Sequence, residues 1–182
     1  MRISPARPSR LLAGLAAAAV ILTGPAAPDA ADAPKPTAAP AAAESPRAPD
    51  ATERAAMVEI LKGESAPERA AWLSYSAGNS ESKALADALA AAFRDGGWKA
   101  ETSAPSGMML KAGVSMLIAE EQPPAWVETA LRAMQASGIE VKSAIGYRAY
   151  YDEMKKEKPG WAGVPLAKDG AFVIVVGPEP KS

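Results

Sequence analysis

The chain carries two copies of one pattern, and this internal repeat limits its fold more than any other feature. Residues 84–101 (ALADALAAAFRDGGWKAE) align without a gap with residues 125–142 (AWVETALRAMQASGIEVK). Each copy reads as a helix with one apolar face, a glycine stop and an alternating strand. A strand-favouring run precedes each helix, at residues 72–75 and 114–119. The repeat therefore predicts two β-α-β units in tandem.

Each predicted helix has an apolar stripe and a recognisable start. Asn79 or Ser80 is placed to cap the first helix, and Pro123-Pro124 opens the second. The apolar positions recur at helical spacing, and we expect Leu89 and Leu131 to be buried at matching places in the two copies. The stripes comprise Leu85, Ala88, Leu89, Ala92 and Phe93 in the first copy and Val127, Ala130, Leu131 and Met134 in the second.

Beyond the repeat, residues 148–158 predict a short helix and residues 172–176 a fifth, wholly apolar strand. The predicted fold is α+β, a two-layer sandwich of two tandem β-α-β units in a ferredoxin-like, split βαβ arrangement with an extra C-terminal strand. An open parallel sheet is the alternative. The short Pro105-Ser106-Gly107 link favours a hairpin-like, antiparallel join between the two copies.

The N-terminal part of the chain has the layout of an export signal followed by a linker. Arg2, Arg7 and Arg10 precede an apolar run at residues 11–23, and small residues follow it. Residues 1–30 are therefore predicted to be a signal peptide, with cleavage between Pro25 and Ala33, or a retained membrane anchor. Residues 31–51 predict a disordered Ala/Pro-rich linker, and residues 52–182 a small α/β domain. The expected location is periplasmic or otherwise extracytoplasmic.

Composition narrows the chemistry open to this chain. It contains no cysteine and no histidine, which excludes nucleophilic systems built on histidine and the usual zinc sites. We expect no metal and no cofactor. We also expect no catalytic residue, because adjacent carboxylates such as Glu120 and Glu121 would diverge in an extended segment and could not act as a pair. The formal net charge of −1 argues against a nucleic-acid partner.

A polar turn between the first strand and the first helix is one candidate binding site. Free backbone N–H groups and the helix dipole favour an anion there. The interpretation that we favour is plain helix capping in a tight turn. The candidate residues of this turn are Ser76, Asn79, Ser80, Ser82 and Lys83.

The second candidate site is an aromatic insert that precedes the last strand. It contains Tyr147, Tyr150, Tyr151 and Trp161. Aromatic side chains on such a segment can anchor a partner. The alternative is that they pack the insert onto the sheet, and composition alone favours that alternative.

Several short motifs resemble those of a bacterial family of membrane-associated or exported small α/β domains whose function is uncharacterised. The resemblance covers most of the domain, and its motifs are structural, so it implies no catalytic residues. The motifs are Gly78-Asn79, Gly97-Trp98, Pro123-Pro124, Gly138-Ile139 and Val176-Gly177-Pro178-Glu179-Pro180. At the level of architecture, the first unit is also similar to the C-terminal domains of cell-wall polymer transferases and to sporulation-related peptidoglycan-binding repeats.

These observations lead to one functional expectation and two rival readings. We expect a non-enzymatic, envelope-exposed interaction domain on a flexible tether, with an envelope protein or a cell-wall component as its partner. Membrane contact would come only through an uncleaved N-terminal segment. One rival is a small-ligand sensor that binds an anion at the turn spanning residues 76–83. An enzyme using only Asp, Glu, Lys, Ser or Tyr is a third, less favoured reading.

Overall fold

A computed structural model of the protein describes residues 45–181. The predicted leader (residues 1–30) and residues 31–44 of the predicted linker lie outside the described residues. From residue 45 onward, no helix is both long and apolar enough to span a membrane. The elements are α1 (Ala51–Lys62), β1 (Ala70–Tyr75), α2 (Ser80–Asp95), β2 (Lys99–Ser103), β3 (Val114–Ile118), α3 (Ala125–Ala136), β4 (Val141–Ala144), α4 (Tyr147–Glu157) and β5 (Phe172–Val176).

The five strands form one mixed sheet in the order β2-β1-β5-β3-β4. β1 is parallel to both β2 and β5, and β3 is parallel to β4. β5 and β3 are antiparallel, which joins the two repeats. Each repeat is therefore a β-α-β unit whose strands are neighbours, and the C-terminal strand lies between the two units.

The predicted α+β sandwich with two β-α-β units and an added fifth strand is confirmed. One detail differs from the predicted split βαβ arrangement. The two strands of each unit are hydrogen-bonded neighbours, and no third strand lies between them. The predicted antiparallel join of β2 to β3 is wrong, since β1 and β5 separate these strands. The physical reason is β5 itself: all five of its residues are buried, and a strand buried on both faces needs a central position.

The two repeats bury five aligned helix positions in common. These are Leu85, Ala86, Leu89, Ala92 and Phe93 in α2, and Trp126, Val127, Ala130, Ala133 and Met134 in α3. The counterpart of Leu89 is thus Ala130, and Leu131 is only partly buried. The expectation that Leu89 and Leu131 would be buried at matching places was wrong. Leu131 aligns with Ala90, a small residue that is fully buried in α2, whereas the larger Leu131 is only partly buried in α3.

The helices and loops cover different faces of the sheet. The main core, against α1, α2 and α3, takes Phe172, Ile174 and Val176 from β5. A smaller cluster on the opposite face contains Val173 and Val175 of β5. The loop between β2 and β3 contributes Met108 and Leu110 to this cluster, and the loop between α4 and β5 contributes Val164 and Leu166. Trp72 of β1 and Leu117 of β3 also pack against it.

Candidate functional site

The polar turn is a helix cap. The side chain of Asn79 accepts a hydrogen bond from the backbone N–H of Ser82 at 2.8 Å. Asn79 has extended backbone angles (φ −102°, ψ 105°), as an N-cap residue does, and Ser80 is the first residue of α2. Of the two cap residues that the sequence proposed, the structure selects Asn79.

The other candidate residues of the turn contact different partners. The Ser82 hydroxyl donates to the carbonyl oxygen of Gly177 at 2.9 Å. Lys83 Nζ lies 2.6 Å from Asp87 and 5.9 Å from the ring centroid of Tyr75. The hydrogen bond that Lys83 donates to Asp87 raises the pKa of Lys83 above its ordinary value. Ser76 is buried, and its hydroxyl has no hydrogen-bond partner within the described part of the chain.

A carboxylate of the chain itself occupies the first turn of α2. Arg47 donates to both carboxylate oxygens of Glu81, at 2.8 Å and 2.5 Å, and the Ser45 hydroxyl donates to Glu81 at 2.6 Å. Arg47 also donates to the carbonyl of Gly177 at 2.9 Å. The hydrogen bond from Arg47 lowers the pKa of Glu81 below its ordinary value. We call Ser45, Arg47 and Glu81 the N-terminal clamp.

The clamp bears on both the predicted linker and the predicted anion site. Ser45 and Arg47 fall within the predicted linker, yet Ser45 is buried and both residues bind the domain. The positive end of the α2 dipole faces Glu81, which is how an acidic side chain stabilises a helix start. An anion at this turn would therefore compete with a carboxylate that is already in place.

The aromatic insert has one buried member. Tyr147, the first residue of α4, is buried, and its hydroxyl donates to the carbonyl of Val164 at 3.0 Å. Burial raises the pKa of Tyr147 to about 12. The rings of Tyr150 and Tyr151 lie 6.2 Å and 6.0 Å from that of Tyr147. Tyr147 therefore fastens α4 to the loop that covers the sheet, as the packing interpretation expected.

The remaining three aromatic residues form a patch at the surface. Trp161 meets Tyr150 edge-to-face, with centroids 5.7 Å apart at 90°, and meets Tyr151 at 5.6 Å. Lys155 donates to the carbonyl of Trp161 at 2.6 Å. Tyr150 is 49% exposed despite these contacts. We call Tyr150, Tyr151 and Trp161 the aromatic patch.

A cleft that the sequence did not indicate lies at the end of the sheet where β1 and β5 begin and β3 ends. Its volume is about 810 Å³. Its lining includes Trp72 and Trp126 together with the small residues Ala70, Ala119, Ala167, Gly170 and Ala171. Charged residues of both signs surround it: Glu68, Lys99, Glu120, Arg148, Lys168 and Asp169. We call it the sheet-end cleft. Its residues come from five separate segments, so no local pattern reveals it.

Of the two adjacent carboxylates considered in the sequence, Glu120 is in an ion pair, and Glu121 has none within residues 45–181. Asp87 pairs with Lys83, Asp95 with Arg54, and Glu120 with Arg148 at 2.8 Å. Between residues 45 and 181, no three Asp or Glu side chains are grouped so as to hold a metal ion.

No family model, curated protein or solved structure matches the chain. The function must therefore be argued from the aromatic patch, the N-terminal clamp and the sheet-end cleft.

Proposed function

We propose that this protein is a non-enzymatic interaction domain, carried on an N-terminal tether in the cell envelope, that binds its partner through the aromatic patch. The observation that carries the proposal is the exposure of Tyr150, which is 49% exposed although its ring contacts those of Tyr147 and Trp161. Large aromatic side chains with buried bases are typical anchors of protein interfaces. The partner is an envelope protein or a cell-wall component.

The patch is held in place before any partner arrives. The buried ring of Tyr147 packs against the rings of Tyr150 and Tyr151, and the Lys155 ammonium donates a hydrogen bond to the backbone carbonyl of Trp161. A rigid patch loses little conformational entropy on binding, which favours affinity. The exposed Asp152, Glu153 and Lys156 of α4 supply a polar rim.

The N-terminal features support the tethered location. The basic start, apolar run and small residues of the first thirty or so positions have the layout of an export signal. Where the described structure begins, the N-terminal clamp joins the chain to the C-terminal end of β5 through Gly177.

Photo-crosslinking in the producing cell tests the proposal. The full chain is expressed with p-benzoylphenylalanine in place of Tyr150, and in a matched control in place of Met109, which is 99% exposed. We expect a discrete adduct in the envelope fraction from position 150 and none from position 109. Tyr150→Ala should also abolish co-purification of the crosslinked partner, whereas Met109→Ala should not. Equal adducts from both positions, or none from position 150, would refute the patch as the contact.

A further inference from the structure

We propose that Met109 is a sacrificial oxidation site, at which a peroxide converts the thioether to a sulfoxide before it reaches any other sulfur of residues 45–181. This site is separate from the aromatic patch and goes beyond the proposed function. Three observations support it: the sulfur content of the chain, the exposure of each methionine, and the way in which the loop around Met109 is held.

Methionine is the only sulfur-containing residue that this chain offers to an oxidant. The chain has seven methionines and no cysteine. Cysteine thiolates would otherwise compete for a peroxide, so in their absence the soft thioether of methionine is the group that reacts. Which methionine reacts first is then decided by the exposure of its sulfur.

The methionines of residues 45–181 differ sharply in exposure. Met109 is 99% exposed. Met108 and Met154 are partly buried. An oxidant therefore meets the sulfur of Met109 directly, whereas sulfurs in the main core become accessible only when the fold opens. The remaining three methionines lie in that core and are 0% exposed: Met57, Met116 and Met134.

The loop between β2 and β3 holds Met109 outward in the folded state. The residues on either side of it, Met108 and Leu110, pack against the smaller cluster on the second face of the sheet. Where the loop meets β3, the backbone N–H of Gly177 donates to the carbonyl of Gly113 at 2.9 Å. Because both neighbours of Met109 are anchored, its exposure belongs to the native loop and does not require local unfolding.

The reaction at Met109 needs only the peroxide as its co-reactant. A lone pair of the thioether sulfur attacks one oxygen of hydrogen peroxide, and the S–O bond forms as the O–O bond breaks. The departing hydroxide takes the proton of the transferred oxygen and becomes water. Sulfur loses two electrons and the peroxide gains two. The sulfoxide is polar, which disturbs packing only where the side chain is buried, so oxidation at Met109 should leave the fold intact.

Oxidation at the neighbouring methionine would have a different effect. Met108 packs against an apolar cluster that includes Val173 and Val175 of β5. A sulfoxide at Met108 would bring a polar oxygen into that contact, which costs stability. A limited supply of peroxide that is consumed at Met109 spares this contact, and in this sense Met109 protects its own loop.

Timed oxidation of the full chain with hydrogen peroxide tests the proposal. Peptide mass spectrometry follows each methionine, with fragment ions that separate Met108 from Met109. We expect Met109 to react first and at least about tenfold faster than the three core methionines. Protein oxidised at Met109 alone should melt at the temperature of the untreated protein. In guanidinium chloride the rates should converge, because the fold no longer protects the core.

Matched substitutions then assign the fast reaction to one sulfur. Met109→Leu should remove it and, with one equivalent of peroxide, should raise the oxidised fraction of Met108. Met108→Leu, the same exchange one residue earlier, should leave the fast reaction unchanged. Leucine has nearly the volume of methionine, so both variants are expected to fold.

Four results would overturn the proposal. Met108 or Met154 oxidises as fast as Met109, the rates keep their order in guanidinium chloride, protein oxidised at Met109 alone melts at a lower temperature, or Met109→Leu changes neither the fast reaction nor the oxidised fraction of Met108. The chemistry involves no partner, so the crosslinking result stands or falls separately.

Discussion

Asn79 is the residue on which the start of α2 depends. Its side chain satisfies the N–H of Ser82, which would otherwise lack a partner at the helix start. Asn79→Ala should lower the free energy of unfolding by about 0.5–2 kcal/mol. Ser80→Ala, one residue further on and exposed, should leave it nearly unchanged. Urea unfolding of the three proteins measures both effects, and an equal loss in Ser80→Ala would contradict the assignment of the cap.

The same turn is where the sequence suggested an anion. Lys83 is exposed and already paired with Asp87, and Glu81 occupies the first turn. We therefore expect phosphate, added at constant ionic strength, to raise the melting temperature of wild type and of Lys83→Ala equally. A phosphate effect that Lys83→Ala abolishes would instead favour the sensor hypothesis.

The N-terminal clamp should make stability depend on acid pH. Because the pKa of Glu81 in the folded state is lowered from its ordinary 4.5, its contribution is present above that value. The contribution is lost as the pH falls through the folded-state pKa. Glu81→Gln should therefore cost about 1–3 kcal/mol at pH 7, the range for a charge-assisted hydrogen bond. The difference from wild type should shrink below pH 4.5 in urea titrations, and a difference that stays constant down to pH 3 would contradict this account.

Burial should delay the ionisation of Tyr147 to high pH. Burial raises its pKa to about 12, so it should stay neutral while an unfolded tyrosine ionises near 10. Folding stability should accordingly decrease as the pH rises from 10 toward 12. In a spectrophotometric titration of tyrosine ionisation, we expect a late phase from Tyr147, and Tyr147→Phe should remove it. A late phase that persists in Tyr147→Phe would belong to another residue.

At the scale of the helices, the different burial of Leu89 and Leu131 predicts a contrast in stability. Leu89 is fully buried, so Leu89→Ala should cost about 2–5 kcal/mol. Leu131 is only partly buried, so Leu131→Ala should cost less than half as much. Denaturant unfolding of both variants measures the difference. Equal losses would mean that α3 presents a different face to the sheet than α2 does.

The sequence predicted the existence of the helices and strands well because their signals are local. The stop after each helix is a glycine with positive φ, 81° at Gly97 and 69° at Gly138, and these are the aligned positions of the repeat. The prediction failed at Leu131, since a leucine that lies beside the buried stripe looks the same in sequence as one within it. The buried position aligned with Leu89 is held by Ala130, and Trp126, which aligns with Leu85, packs against Trp98 and Phe172.

The candidate sites show the same division between local and long-range information. The sequence indicated two features whose residues are close along the chain. They are the cap at Asn79 and the aromatic contacts among Tyr147, Tyr150, Tyr151 and Trp161. The N-terminal clamp joins Arg47 to Glu81 and Gly177, and the sheet-end cleft draws on both repeats and the loop before β5. Contacts of that range are set by strand order, which no local pattern encodes.

At the scale of the whole molecule, strand order rests on β5. The strand pairs with β1 on one side and β3 on the other, and it holds the two repeats in one sheet. A short apolar run at the C-terminus is equally compatible with an edge or a central strand until its burial on both faces is known. The residue directly after β5, Gly177, must be a glycine, because a side chain there would overlap the carbonyl of Lys111.

Removal of β5 should therefore prevent folding of both repeats together. A chain ending at Gly170 loses five buried side chains, each contributing about 1.5–3 kcal/mol, which is comparable to the whole stability of a domain. It should show no cooperative thermal transition by circular dichroism. A chain ending at Pro178 keeps β5 and the hydrogen bond that the backbone N–H of Gly113 donates to the carbonyl of Pro178 at 2.9 Å. It should therefore melt cooperatively, at a temperature near that of wild type. A cooperative transition in the chain ending at Gly170 would show that the β-α-β units assemble without their central strand.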